Sequence, residues 1–183
     1  MFSIVLYTYD IGLQGKQSDN FYFQLNDILR RRVVCSFLFM IHKQISIHFN
    51  TQFQEIEAIK GFLFFAISGL RKLPSITGVV FRGNNSPDVI AKEYTLGREI
   101  FWSGFTSTTT ELSSALQFAG QDGVVFRMHI NSGKSISNFS CLPNEKEVLL
   151  PPNACLIVTQ VMHIEADGVK YVDLLEKAGT FKW

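Results

Sequence analysis

The sequence predicts a single α+β domain, and three observations support this fold class. First, the chain has 183 residues, of which 46% are hydrophobic and 18% charged, so it can bury a full core and is too apolar to be disordered throughout. Second, residues 1–72 have a mostly helical pattern, whereas residues 73–183 are rich in short alternating strands. Third, few helices separate those strands, which favours α+β over a parallel sheet with helical crossovers.

Two helices are predicted in the N-terminal portion. The first covers Phe21 to Arg32, where apolar residues recur at helical spacing, and Ser18 and Asp19 can cap its start. The second covers Phe53 to Lys72, where apolar residues form one stripe. Residues 33–49 are apolar and remain ambiguous between helix and strand.

The C-terminal portion is predicted to begin with a strand from Gly78 to Arg82, followed by a short helix that starts at Ser86 and Pro87. Ile100 to Thr109 is predicted as one strand, and Thr110 as the cap of a helix from Leu112 to Ala119. Five further strands are expected, the last two paired across a turn at residues 166–168: Val124–Ile130, the weaker Lys134–Phe139, Glu145–Leu150, Cys155–Ile164 and Val169–Leu175.

Composition and spacing exclude several function classes. The chain carries 17 basic and 16 acidic residues, so it lacks the basic excess that nucleic-acid binding needs. Its longest apolar runs are too short for a membrane-spanning helix. The three cysteines and four histidines show no spacing typical of a metal site, and no metal is expected. The N-terminus shows no secretion signal, which favours the cytoplasm, although an extracted domain of a secreted protein would also lack one.

Three short segments contain residues suited to chemistry. Arg82 ends a strand and is followed by Gly83, which would let a ligand approach the backbone. An arginine there can grip a phosphate with two hydrogen bonds, although such a residue is commonly only a solvated side chain. The second segment, residues 102–109, follows Phe101 in a predicted strand. The strand would place Phe101, Ser103, Phe105, Ser107 and Thr109 on one face, as in a pocket floor, or the segment is simply a threonine-rich strand end.

The third segment, residues 144–152, contains Glu145 and Glu147 on either side of Lys146. In an extended strand the two carboxylates would lie on one side, about 6–7 Å apart. Their mutual repulsion is costly unless a positive group or a substrate occupies the gap. A charged, solvated loop is the alternative.

Along the chain, the three segments follow in a fixed order: a strand arginine, then Phe-x-Ser-Thr-Thr, then Glu-x-Glu before Val-Leu-Leu-Pro-Pro. This order resembles that of the arginine-modifying mono-ADP-ribosyltransferases. The resemblance covers about residues 70–176, and Leu6–Thr8 and Phe21–Arg30 are less specifically similar to the helical N-terminal portion of that family. It implies a fold in which that portion packs on two small, mainly antiparallel sheets that enclose an NAD cleft. One difference is Thr109, where the family most often has serine, and a hydroxyl is retained.

The resemblance also implies roles for individual residues. Glu147 would hold the nicotinamide ribose and stabilise its developing positive charge, while Glu145 would act on the acceptor guanidinium. The others would serve NAD binding: Arg82 at a phosphate or the adjacent ribose, Gly83 through its backbone, Ser107 by orienting Glu147, and Thr108 and Thr109 by supporting the strand. Phe118 would either stack on nicotinamide or pack in the core.

The expected activity is therefore transfer of ADP-ribose from NAD, as co-substrate, to an arginine of a protein acceptor by a monomeric enzyme. Two alternatives stay open. Water could replace arginine, which would make the protein an NAD glycohydrolase, or the chain could be a silent module that binds NAD or a protein.

Overall fold

The computed structural model describes residues 20, 22–30, 46–140 and 143–178, and for residues 46–56 the backbone alone. Several sequence predictions lie outside these residues: the Ser18 and Asp19 caps, both ends of the first predicted helix, and the resemblance at residues 6–8. Cys35 and Cys141 lie outside them as well.

Four α-helices and seven strands make up the described fold, together with two short 3-10 helices. The α-helices are α1 at residues 22–30, α2 at Ser46–Arg71, α3 at Pro87–Glu93 and α4 at Leu112–Ala119. The strands are β1 (Ser75–Asn84), β2 (Glu99–Trp102), β3 (Thr106–Thr109), β4 (Val124–Ser135), β5 (Glu147–Leu150), β6 (Ala154–Ile164) and β7 (Lys170–Glu176). The 3-10 helices are Ser137–Phe139 and Pro143–Glu145. Helix α2 starts earlier than predicted, because residues 46–49 of the ambiguous segment and the following residues 50–52 are helical.

The strands form a sheet in the order β1-β3-β5-β4-β7-β6-β2, and β1 also pairs with β4. Every pairing is antiparallel except that of β4 with β7. Strand β4 is twelve residues long and pairs with β1, β5 and β7, so it joins the two expected sheets into one hydrogen-bonded unit. The predicted mixture of helices and mainly antiparallel strands is confirmed.

Three hydrophobic clusters hold the described architecture together, and the smallest packs Ala115 and Ala119 of α4 against Val125 and Tyr171 of the sheet. The largest one lies within the sheet and contains buried residues such as Val80, Phe126 and Leu174. The second joins the helices to the sheet, because Leu25 of α1 and Leu70 of α2 pack with Leu149 of β5. The N-terminal helices are therefore anchored on the strand that carries Glu147.

The prediction of a single strand from Ile100 to Thr109 is wrong, because the chain breaks into an edge strand, β2, and a strand in a distant part of the sheet, β3. Strand β2 pairs with β6, whereas β3 pairs with β1 and β5. Gly104 lies against α1 between them, and a Cβ on it would come within 2.7 Å of Asn26 Oδ1. The predicted common face is lost as a result: Phe101 is 56% exposed and Phe105 only 4%.

The strand predicted from Glu145 also begins later, at Glu147. Glu145 belongs to the 3-10 helix, and Lys146 has a left-handed backbone with φ 45°. The two carboxylates therefore do not lie on one extended strand face. Likewise, the weaker predicted strand Lys134–Phe139 is divided between the end of β4 and a 3-10 helix.

The predicted helix caps differ in detail. Glu111, not Thr110, occupies the N-cap position of α4, and no side chain caps it. Ser86 does precede α3, with Pro87 in its first turn, but its hydroxyl makes no capping hydrogen bond. Instead the Asn84 Oδ1 accepts a hydrogen bond of 2.7 Å from the Ser86 amide.

Candidate active site

Glu147 is a buried carboxyl group at the start of β5, with only 7% of its surface exposed. Its pKa is raised to about 7, mainly by burial. A hydrogen bond from the Ser107 side chain and the charge of Arg82 act to lower this pKa, whereas the neighbouring charge of Glu145 acts with burial to raise it. Thr109 lies opposite Glu147 in the ladder between β3 and β5. The structure thus brings the three predicted segments together around one carboxyl group.

Arg82 is half-buried near the end of β1 and is tied to β3 by its guanidinium. Its Nη1 donates a hydrogen bond of 2.6 Å to the Ser107 carbonyl. The Ser107 hydroxyl in turn bonds to Glu147. One serine therefore contacts the cation through its backbone and the carboxyl group through its side chain, which fixes both charges relative to β3.

Thr108 and Thr109 face different partners. The Thr108 hydroxyl donates to the Val148 carbonyl at 2.6 Å and so locks β3 to β5. The Thr109 hydroxyl donates to the Glu145 carbonyl at 2.7 Å and accepts from the Glu111 amide at 2.9 Å. A threonine in the third position therefore ties the turn that carries Glu145 to the start of α4.

Gly83 and Phe118 meet where α4 packs on β1. A Cβ on Gly83 would lie 2.0 Å from the Ala115 carbonyl oxygen and 2.4 Å from the Ala119 nitrogen. The glycine is therefore required by the close approach of the helix. Phe118 is 63% exposed on that helix, so the alternative that it packs in the core is wrong.

Sequence reasoning missed Tyr94 and Glu111. Burial raises the pKa of Tyr94, and its hydroxyl accepts a hydrogen bond of 3.0 Å from Trp102 Nε1. Tyr94 also lies close enough to Arg82 for the arginine charge to act on this pKa in the opposite direction. Tyr94 also lines a cleft of about 590 Å³ between α3 and β2, together with Asn84. Glu111 forms an ion pair with Lys146, the residue between the two glutamates. Their sequence positions show no periodicity or motif from which these contacts could be predicted.

Among the described residues, no three or more His, Cys, Asp or Glu side chains are grouped so that they could hold a metal ion. None of the described helices has the length and hydropathy of a membrane span. Cys155, a buried free cysteine, lies 3.7 Å from Glu99 and far along the sheet from Glu147.

Residues 41–180 match the model of the NAD:arginine ADP-ribosyltransferase family. The chain belongs to this family. Arg82, Ser107 and Glu147 all lie within the matched region, so the residues that the structure brings together are part of the family's own domain.

One relative of this ADP-ribosyltransferase domain is the NAD(+)–protein-arginine ADP-ribosyltransferase Tre1 of Serratia proteamaculans, which is 35% identical over 118 residues. The alignment covers 64% of this chain and 24% of Tre1, so the chain spans about a quarter of that relative.

Among solved structures, the ADP-ribosyltransferase HopU1 of Pseudomonas syringae pv. tomato superposes with a TM-score of 0.69 at 21% identity, over 96% of this chain and 75% of HopU1. The ADP-ribosyltransferase Vis of Vibrio splendidus, solved in complex with agmatine, gives a TM-score of 0.59 at 22% identity, over 97% of this chain and 75% of Vis. These similarities show that the fold is shared.

Proposed function

We propose that this chain transfers ADP-ribose from NAD to the side chain of an arginine on a protein and releases nicotinamide. The observation that carries the proposal is the buried Glu147 carboxyl group, held by Ser107 and flanked by one cation, Arg82, and a second carboxyl group, Glu145. Membership of the family supports NAD as the co-substrate.

Cleavage of NAD breaks the bond between nicotinamide and ribose. The transition state has oxocarbenium character, as in glycoside hydrolysis, and nicotinamide leaves as a neutral group without a general acid. An ionised Glu147 beside the ribose stabilises the developing positive charge. Its burial strengthens that interaction, because little water screens it.

Binding of NAD requires a group that holds its negative pyrophosphate. Arg82 is suited to this, because its guanidinium can give two parallel hydrogen bonds to phosphate oxygens. It is close to Glu147 on one side and to Tyr94 of the cleft between α3 and β2 on the other. A pyrophosphate at Arg82 would therefore leave one nucleotide half near Glu147 and the other near this cleft. Phe118 on the exposed side of α4 remains the candidate for stacking on nicotinamide.

Transfer to arginine needs a group that receives a cationic guanidinium. Glu145 is half-buried and close enough to Glu147 to raise its pKa, so a ribose at Glu147 and a guanidinium at Glu145 would be neighbours. Vis is a relative in fold that was solved with agmatine, whose guanidinium matches that of arginine. This likeness supports an arginine-type acceptor here.

Labelled NAD incubated with the protein and agmatine tests the proposal. We expect label on agmatine and release of nicotinamide. The Glu147→Gln variant keeps the shape of the side chain and removes its charge, so both NAD cleavage and transfer should fall about 10²–10³-fold. Free ADP-ribose without labelled agmatine or protein would indicate an NAD glycohydrolase. The absence of both free ADP-ribose and labelled acceptor would indicate a silent binding module.

A further inference from the structure

Glu145 and Glu147 are held in place by different means. Glu147 is fixed by the strand ladder and by burial, since it pairs with Thr109 and its carbonyl accepts a hydrogen bond from the Ile136 amide at 3.0 Å. Glu145 lies in a turn, residues 143–146, which we call the Glu145 turn, and is outside the ladder. Its carboxyl group can therefore be displaced without moving the backbone of Glu147, although its charge acts on the Glu147 carboxyl group.

Two contacts connect the Glu145 turn to the start of α4. The Glu145 carbonyl accepts from Thr109, whose hydroxyl accepts in turn from the Glu111 amide. The Lys146 Nζ reaches the Glu111 carboxylate at 2.5 Å. Together these contacts close a ring through Thr109, Glu145, Lys146 and Glu111, with the left-handed Lys146 backbone at its corner.

The ion pair has an electrostatic consequence beyond this geometry. Glu111 is an acidic side chain beside the Glu145 turn, and its carboxylate is 41% exposed, against 59% for the Lys146 side chain. An unneutralised Glu111 would offer an incoming guanidinium a second carboxylate near Glu145, because the backbones of both residues hydrogen-bond to the Thr109 hydroxyl. Lys146 occupies that carboxylate and leaves Glu145 as the acceptor's partner.

We propose that the Lys146–Glu111 ion pair is a positioning device that orients Glu145 toward the acceptor and so sets the ratio of arginine transfer to NAD hydrolysis. This inference rests on the proposed function, because it assumes that Glu145 serves the acceptor. Neither residue touches NAD in this role. The pair can act on Glu147 only through the charge of Glu145, so NAD cleavage is independent of the pair at a pH well above 7, where Glu147 is ionised in any case.

The test compares transfer to agmatine with NAD hydrolysis in four variants at about pH 9, where Glu147, whose pKa is about 7, is ionised in all of them. Lys146→Met and Glu111→Gln should lower the ratio of transfer to hydrolysis about three- to fivefold, the size that an exposed ion pair supports, with hydrolysis unchanged. The loss should appear in kcat for agmatine, since agmatine still binds but is misplaced. Lys146→Arg keeps the pair and should keep the ratio. Lys60→Met is the matched control, because Lys60 pairs with Glu57 on α2 with similar exposure.

Two outcomes would overturn the inference while leaving the proposed function intact: an unchanged rate of transfer in Lys146→Met and Glu111→Gln, or an equal fall of transfer and hydrolysis. A wild-type protein that cleaves NAD without labelling agmatine would overturn the proposed function. Hydrogen exchange of the amides at residues 144–147 provides a reading independent of activity. Exchange should quicken in Lys146→Met and stay at the wild-type rate in Lys146→Arg, and equal rates would also refute the ring.

Discussion

Ser107 bonds through its hydroxyl to the buried carboxyl group of Glu147, and its carbonyl accepts from Arg82 Nη1. The hydroxyl lowers a pKa that burial and Glu145 raise, and the outcome is a pKa of about 7. Glu147 therefore changes between its protonated and ionised forms close to neutral pH, and the contacts with its neighbours set the pH at which this happens.

The pH dependence of NAD cleavage should follow this pKa. Because only the ionised carboxylate stabilises the oxocarbenium-like transition state, kcat/KM for NAD hydrolysis should fall as the pH drops below about 7. Ser107→Ala removes the bond that lowers the pKa, so its profile should move to higher pH. Glu145→Gln removes a like charge and should move the profile to lower pH. Superimposable profiles of the three proteins would contradict these assignments.

The same carboxyl group should make stability depend on pH. The folded-state pKa of about 7 exceeds the ordinary value of 4.5, so the protein favours the protonated form. The resulting stability is complete below pH 4.5 and is lost as the pH rises through 7. The Glu147→Gln side chain does not titrate in this range. Between pH 4.5 and 8, the free energy of unfolding of the variant should therefore rise relative to that of the wild type by on the order of 3 kcal/mol. Urea unfolding at both pH values measures this, and parallel curves would disprove it.

Arg82→Lys keeps the positive charge but loses the two-pronged donor. We expect NAD binding to weaken about tenfold, the equivalent of one charge-assisted hydrogen bond, while the fold remains intact. Calorimetric titration with NAD measures the affinity. Arg71→Lys serves as the control, because Arg71 is an exposed arginine at the end of α2. If Arg82→Lys binds NAD with the affinity of Arg71→Lys and of the wild type, Arg82 has no part in the NAD site.

Gly83→Ala should destabilise the protein by several kcal/mol, since the added Cβ meets backbone atoms of α4 that cannot move independently. Gly61→Ala provides the opposite case. It lies within α2 with nothing within 4 Å of an added Cβ, so alanine should stabilise the protein by about 0.5–1 kcal/mol. Thermal unfolding of both variants checks the contrast, and a Gly83→Ala protein as stable as the wild type would show that α4 is displaced easily.

Much of this fold and site could be predicted from local sequence. Strand and helix periodicity located most elements, and motif order located Arg82, Ser107 and Glu147. The break between β2 and β3 was missed, because strand-type residues lie on both sides of Ser103 and Gly104, and a single glycine within such a run is also compatible with a bulge in one continuous strand. The break depends on the packing of Gly104 against Asn26, which is about 80 residues distant in sequence. The Lys146–Glu111 pair depends on the left-handed turn at Lys146, for which a lysine gives no signal.

The two carboxylates should separate in a single variant. NAD cleavage needs only the carboxylate nearest the ribose. Arginine is protonated near neutral pH and is therefore a poor nucleophile. Its attack needs a second carboxylate that binds the cation and accepts a proton as the new bond forms. Glu145→Gln should therefore abolish transfer to agmatine and leave much of the NAD hydrolysis, measured as labelled agmatine and free ADP-ribose in one reaction.

The comparison contains its own control, because residual hydrolysis shows that the variant is folded and binds NAD. Glu147→Gln should lose both activities, since its carboxylate serves the step that the two reactions share. Equal loss of both activities in Glu145→Gln would refute the assignment of Glu145 to the acceptor. Undiminished transfer would refute it as well, and would favour an acceptor whose nucleophile needs no deprotonation by this carboxylate.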